Sequence, residues 1–281
     1  MIRITCDSTC DLPRELYDSL GVTVIPLSIA LGEEFHYDGT LSADEIYAYV
    51  AETGKLPSTS AISIGQYDAF YGKFPEDDEI IHISLSSELS SSHQNACIAA
   101  YERPHYEKRV SVIDSKNLST GSGLLVMKAV ELRDQGLSRE EIVDELYKLR
   151  DKLDVSFVLQ TLDYLKKGGR CSAIVALGAN LMKLRPEIVV SDGKMSVGKK
   201  YRGSIERSVA DYIRGRLEGR DDIDTSRIFV THSGVPEEVL TMAMDLVKEL
   251  HPFTEVLTSR AGCTITSHCG PGTLGVLFFK K

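Results

Sequence analysis

Short β-branched runs alternate with amphipathic stretches along most of the chain. Ile2–Thr5 reads as a strand and Pro13–Leu20 as a short helix. Val22–Ile29 reads as a second strand, with Pro26 marking an edge or a bend because proline cannot donate to a ladder. Ser42-x-x-Glu45 is a capping box that opens a helix to about Glu52. Glu79–Leu85 then reads as a strand, Ser87–Tyr101 as a helix, Val110–Ile113 as a strand, and the stretch from about Thr120 to Asp134 as a helix. Ser138-x-x-Glu141 caps one more helix, with Ile142, Leu146 and Leu149 at helical spacing. Strand–helix alternation of this kind predicts a largely parallel sheet covered on both faces.

The pattern changes near Asp151. Val155–Gln160 reads as a strand, and Leu162–Lys167 as a short helix that stops at Gly168-Gly169. Glu187–Val190 and Lys194–Val197 flank Asp192-Gly193, a two-residue hairpin signal, so the sheet here is expected to be mixed. Ile205–Leu217 and Glu237–Leu250 read as helices around a strand at Arg227–Thr231, and Leu274–Phe279 as a closing strand. With 281 residues, against roughly 150 per domain, the chain is expected to form two α/β domains. Residues 1–150 form one with a mostly parallel sheet and flanking helices, and 151–281 a mixed α/β domain.

Composition narrows the function. Acidic residues outnumber basic ones 41 to 32, a formal charge of −9, which argues against a nucleic-acid partner and gives no general attraction to anionic membranes. The amino-terminal segment lacks the apolar run of a signal peptide, and no stretch approaches the roughly 18 apolar residues of a membrane span. The six cysteines show no C-x-x-C pair, so they are expected to be reduced and the protein cytoplasmic. The histidines have no metal-ligand spacing, and no metal is expected.

Polar residues collect after the strands: Asp7-Ser8-Thr9 after the first, Ser84 to Ser92 after the third, Asp114-Ser115 and Ser119 to Gly123 after the fourth. In a parallel sheet these are the carboxyl ends, where ligands bind. Hydroxyls and helix amino termini gathered there suit a small anion, although serine and aspartate also serve as ordinary caps. Gly121-Ser-Gly123 opens like a dinucleotide fingerprint, but Val126 stands where the third glycine belongs. Neither a Walker loop nor a Gly-x-Ser-x-Gly nucleophile elbow occurs. Anion binding is therefore better supported than catalysis.

Several segments, in order, carry a resemblance: Asp7-Ser-Thr-Cys-Asp-Leu-Pro13, Leu56-Pro-Ser-Thr-Ser60, Leu85 to Ala96, Val112-Ile-Asp-Ser-Lys116, Leu165-Lys-Lys-Gly-Gly-Arg170 and His268 to Gly275. Together they resemble the DegV family, whose characterised members are fatty-acid-binding subunits of bacterial fatty acid kinase. The resemblance implies a two-domain carrier that holds one fatty acid between its domains. Its carboxylate would be held by hydroxyls of Thr59, Ser60 and Ser90 or Ser91, with His268 nearby. Arg170 would lie near the ligand and the kinase-facing surface. A separate ATP-dependent kinase chain would phosphorylate the acyl carboxylate. This chain would be non-catalytic, with no cofactor beyond its fatty acid ligand and at most transient membrane contact.

Departures from the family pattern are Ala61-Ile62 after the Thr-Ser pair, Glu88 and Ser91 in place of glycines, and Ser92-His93 in place of Thr-Tyr. A Glu88 turned inward would repel an acyl carboxylate, so it is expected to face solvent at the helix start. Each site residue also has a plainer reading. Thr59 and Ser60 can shape a loop after Pro57, Ser90 and Ser91 can begin a helix, Arg170 can be a solvated charge, and His268 can be a packed loop residue.

A fatty acid would gain roughly 0.8 kcal/mol per buried methylene, on the order of 12 kcal/mol for a sixteen-carbon chain before the costs of binding. Its tail needs an apolar slot, for which the run from Ile174 to Met182 is the sequence candidate. Its carboxylate cannot be buried bare, and neutral hydroxyls can hold it while leaving an oxygen open to phosphorylation. The competing reading is an enzyme acting on a small phosphorylated or carboxylated metabolite, with Asp7, Ser8, Asp114 and Ser115 as its site.

Overall fold

The computed structural model describes residues 1–102, 104–175 and 184–281. Four strands, β1 (Ile2–Asp7), β2 (Thr23–Ile25), β6 (Glu79–Ser84) and β7 (Val110–Asp114), form an all-parallel sheet in the order β2-β1-β6-β7. The central strands β1 and β6 are largely buried on both faces, as helix-covered parallel strands require.

A second sheet takes β8 (Leu153–Val158), β9 (Leu184–Ser191), β10 (Lys194–Arg202), β11 (Ile223–His232), β12 (Glu255–Arg260) and β13 (Leu274–Lys280) in the order β10-β9-β8-β13-β11-β12. It is mixed: β11 and β12 run parallel and the other pairs antiparallel. Asp192 and Gly193 sit at φ 48° and 80°, the paired positive values that a tight two-residue hairpin needs.

A third sheet was not foreseen in the sequence. It is small and antiparallel, built from β3 (Ser28–Leu31), β4 (Glu34–Tyr37) and β5 (Ser58–Ser60) in the order β4-β3-β5. The run Val22–Ile29 is therefore two strands in two sheets. Pro26 separates them, and the Leu27 amide leaves any ladder to donate to Ser8 Oγ at 3.1 Å.

The helix expected from Ser87 begins instead at Ser92. The serines before it are engaged elsewhere. Ser86 Oγ donates to the Gly193 carbonyl at 2.8 Å, and Ser87 gives its amide and hydroxyl to the Asp114 carboxylate at 3.2 and 2.6 Å. Side chains that offer the backbone such alternatives delay helix entry.

Helix Ser119–Asp134 lies between the two larger sheets, touching β1 and β6 on one side and β8, β11 and β13 on the other. Its residues from Ser119 to Met127 are all buried, as expected of a helix enclosed on all sides. One core joins Ile4, Ile83 and Ile113 of the first sheet to Leu125 and Val126 of this helix and to Val155, Ile188 and Leu277 of the second. Each such side chain contributes about 1.5–3 kcal/mol by leaving water. That core fixes the strand ends from which the candidate site is built.

Candidate functional site

Helix Cys263–Cys269 organises the site, and its two ends are held differently. At the amino end, the Cys263 and Thr264 amides donate to the Asp38 carboxylate at 2.8 and 3.2 Å, and the Gly262 amide to Asp11 Oδ1 at 2.9 Å. Ser8 Oγ donates to Asp38 at 3.1 Å and Ser119 Oγ to Asp11 at 2.5 Å. Burial pushes the Asp11 carboxyl well above the usual carboxylate range, against the lowering effect of Ser119. These amides would otherwise be orphaned at a helix start.

At the carboxyl end stands His268. Its Nε2 lies 2.8 Å from Thr59 Oγ1, which β5 brings in register beside Ile29 of β3. Burial, with a further contribution from the Arg170 charge, lowers the His268 ring to about 4. The imidazole is thus neutral at physiological pH, one nitrogen donating and the other accepting. Its buried Nδ1 has no hydrogen-bond partner among the described residues.

Thr59, Ser60, Ser90, Ser91, Arg170 and His268 all line one cavity of about 170 Å³. Its apolar wall comes from Leu27, Leu85, Leu118, Leu165, Met195 and Ile265, residues scattered over both halves of the chain. A smaller apolar void of about 30 Å³ shares Leu118, Ile265 and Cys269 with it and ends against Phe157 and Leu277. The structure therefore gathers the six residues singled out in the sequence at one polar rim of an apolar space.

The rim is braced. Ser92 Oγ accepts from the Ile62 amide at 3.2 Å and lies 3.0 Å from Ser90 Oγ, and Asn95 Nδ2 donates to the Ile62 carbonyl at 2.8 Å. These bonds tie the serine loop to the segment that follows Thr59 and Ser60. Arg170 is exposed and donates to the carbonyls of Gly168 at 2.6 Å and Leu89 at 3.4 Å. Glu88 lies outside the lining, exposed to solvent and 3.5 Å from Lys194 Nζ, and among the described residues no carboxylate lines the cavity.

The other strand-end residues make internal hydrogen bonds. Buried Asp7 accepts from the amides of Thr9 at 3.0 Å and Leu85 at 2.7 Å, while Asp114 accepts from Ser87 and from the Lys116 amide at 2.8 Å. Ser115 Oγ bonds Ser122 Oγ at 2.8 Å, and Ser8 is held by Asp38 and Leu27. None of Asp7, Ser8, Asp114 and Ser115 lines the 170 Å³ cavity. The aliphatic run from Ile174 to Met182 lies outside the described residues, apart from the backbone of Ile174 and Val175 in helix Ser172–Val175.

The roles of Asp11 and Asp38 went unread in the sequence, because helix Cys263–Cys269 is short, rich in β-branched residues and without a side-chain cap of its own. Among the described residues no His, Cys, Asp and Glu side chains group to hold a metal ion, and no helix is long and apolar enough to cross a membrane.

The DegV family profile, described as "Uncharacterised protein, DegV family", matches residues 1–281. This chain belongs to the DegV family. A DegV domain-containing protein of Caldanaerobacter subterraneus subsp. tengcongensis is 32% identical over 285 residues, covering 100% of this chain and 99% of the relative. A fatty-acid-binding DegV family protein from Thermus thermophilus superposes with a TM-score of 0.88 at 32% identity, covering 100% of this DegV chain and 99% of its own. The Streptococcus pneumoniae fatty acid kinase (Fak) B3 protein, loaded with linoleic acid, superposes at a TM-score of 0.86 and 22% identity over 100% of each chain, a likeness of fold alone. The mixed α/β architecture, with its parallel and mixed sheets, is the DegV fold.

Proposed function

We propose that this DegV-family chain binds a long-chain fatty acid between residues 1–150 and 151–281 and presents the carboxylate to a separate ATP-dependent kinase. The observation that carries this reading is the neutral His268–Thr59 pair at the polar rim of an otherwise apolar cavity. With the proton on Nε2, His268 donates to Thr59 Oγ1 and leaves the threonine hydroxyl free to donate to a carboxylate oxygen. Hydrogen bonds to a charged group contribute about 1.5–3 kcal/mol, so Thr59 with Ser60, Ser90 and Ser91 can fix a head whose tail supplies most of the affinity. The fatty-acid binding of the Thermus relative, at 32% identity over the whole chain, supports the same ligand class here.

The hydroxyls and imidazole of the rim, all neutral, hold the head. Arg170, whose guanidinium is engaged by two backbone carbonyls, stands beside the head as a charge at the surface. A carboxylate held by hydroxyls keeps more electron density on its free oxygen than one clamped by a guanidinium. That oxygen attacks the γ-phosphorus of ATP on the kinase, the bond to ADP breaks, and the acyl phosphate forms. The chain itself is a carrier with no catalytic group, and Arg170 with Lys166 and Lys167 is the first surface to test for the kinase.

Adding palmitate to delipidated protein tests the ligand. At a hundredfold excess over Kd the folded state gains about 2.7 kcal/mol, a clear rise in melting temperature. No shift with palmitate or oleate sinks the reading. Acyl phosphate formed by the isolated chain with ATP would instead make it an enzyme.

A further inference from the structure

The segment Gly168-Gly169-Arg170 carries two glycines whose demands differ. Gly169 ends helix Asp163–Gly168 in the left-handed region, φ 72°, and nothing lies within 4 Å of where a Cβ would stand. Gly168 has no such backbone requirement. A Cβ there would lie 2.4 Å from His268 Nδ1 and 3.4 Å from Cε1. A carbon at that distance is inside the contact radii, so one partner must move.

Neither partner moves freely. The His268 ring is fixed at its far nitrogen by Thr59 Oγ1, 2.8 Å away, and by its place in helix Cys263–Cys269. The end of helix Asp163–Gly168 is held by Arg170, which donates to the Gly168 carbonyl at 2.6 Å and reaches the Leu89 carbonyl of the serine loop at 3.4 Å. The bare Cα of Gly168 thus stands over the one ring nitrogen of His268 that has no partner among the described residues. That nitrogen is buried from water.

We propose that Gly168 is a positioning residue for the cavity head: its missing side chain lets helix Asp163–Gly168 close flat on the His268 imidazole, which in turn aims Nε2 at Thr59. The consequence for ligand affinity rests on the fatty-acid reading above, whereas the effect on the ring itself does not. In Gly168→Ala the ring swings off Thr59 or the helix end lifts, and in either case water reaches Nδ1.

The test compares Gly168→Ala with Gly169→Ala in ligand-free protein, following the His268 ring by nitrogen-15 NMR across a pH titration. Gly168→Ala is expected to raise the His268 pKa by about one unit toward its ordinary value, as renewed solvation of a buried ring does. Gly169→Ala is expected to lower the melting temperature through left-handed strain and to leave the ring's titration unchanged. An unchanged His268 titration in Gly168→Ala overturns the proposal whether or not palmitate binds. Palmitate affinity gives a second arm. Gly168→Ala alone is expected to weaken it about tenfold, and Gly168→Ala in a His268→Ala background to change it by less than about twofold, because removing the ring makes room for the Cβ. An undiminished loss in the double variant would show that Gly168 does not act through His268.

Discussion

The two ends of helix Cys263–Cys269 use polar groups for opposite purposes. At the amino end, carboxylates of Asp38 and Asp11 meet the free amides, and serines 8 and 119 fill remaining acceptor positions. At the carboxyl end, a neutral imidazole meets a single hydroxyl at the edge of an apolar cavity, and its other nitrogen has no partner among the described residues. The first end is a closed set of bonds that holds the helix. The second leaves the Thr59 hydroxyl with bonding capacity facing the cavity, while the unpartnered ring nitrogen is buried on the far side. Polar residues crowded at strand ends are therefore no guide to a ligand until their partners are counted.

Breaking each end should show the contrast. The largest effect is expected from Asp38→Ala, which strands the Cys263 and Thr264 amides. Leaving two buried donors unmet costs about 2–4 kcal/mol, read as a lowered urea midpoint. A variant as stable as the parent would remove Asp38 from its holding role. Thr59→Ala is expected to do the reverse, weakening palmitate binding about tenfold, or 1.4 kcal/mol, while changing stability by less than about 1 kcal/mol. Unaltered affinity would take Thr59 out of the head.

The pH dependence sharpens the comparison further. His268 is lowered from its ordinary 6.5 to about 4 in the folded protein, so in that window the unfolded ring binds a proton that the folded ring refuses. Its contribution to stability is present above 6.5 and is lost as pH falls toward 4. The parent is therefore expected to lose more unfolding free energy than His268→Asn between pH 7 and 4.5. Buried His82, lowered to about 3, acts in the same direction, and Asp7 and Asp11, raised by burial, act in the opposite one; both are common to the two proteins and cancel in the difference. Parallel pH profiles would mean that His268 titrates normally. The smallest effect is expected from Arg170→Ala. This exposed side chain should change palmitate affinity by no more than about twofold, and should lower acyl phosphate formation with a kinase more than it lowers binding.

Much of the fold could be read from the chain because local signals and tertiary packing agree there. The Ser42 and Ser138 capping boxes, the Asp192-Gly193 turn and most β-branched runs of the two larger sheets stand where the pattern places them, whereas the edge strand β12 was not read in the sequence. The small sheet escaped because β4 and β5 are only four and three residues long, β5 is Ser-Thr-Ser, and the alternating Phe35 and Tyr37 of β4 are exposed rather than buried. Ser86 and Ser87 look like helix starters, yet bonds to Gly193 and Asp114, distant in sequence, hold them outside the helix.

The site shows the same division. The rim residues Thr59, Ser60, Ser90, Ser91, Arg170 and His268 were named through the family resemblance, and the structure places them on one cavity. Its apolar wall was not legible, since Leu27, Leu118, Met195 and Ile265 come from segments with nothing in common but their final position. Nor could periodicity show that Gly168 faces an imidazole a hundred residues later. Such contacts are made by the crossing of elements, which no local pattern encodes.

The overall charge of −9 gives the protein no general attraction for an anionic ligand. Affinity has to come from the tail and from neutral donors at the rim. The most direct test of that claim is native mass spectrometry of the protein as purified from a bacterial host, backed by organic extraction of the same sample. The expected result is a bound species with the mass of a long-chain fatty acid, recovered in the extract and diminished in Thr59→Ala. A chain that carries no lipid in repeated preparations, and whose melting temperature palmitate and oleate leave unmoved, would contradict it.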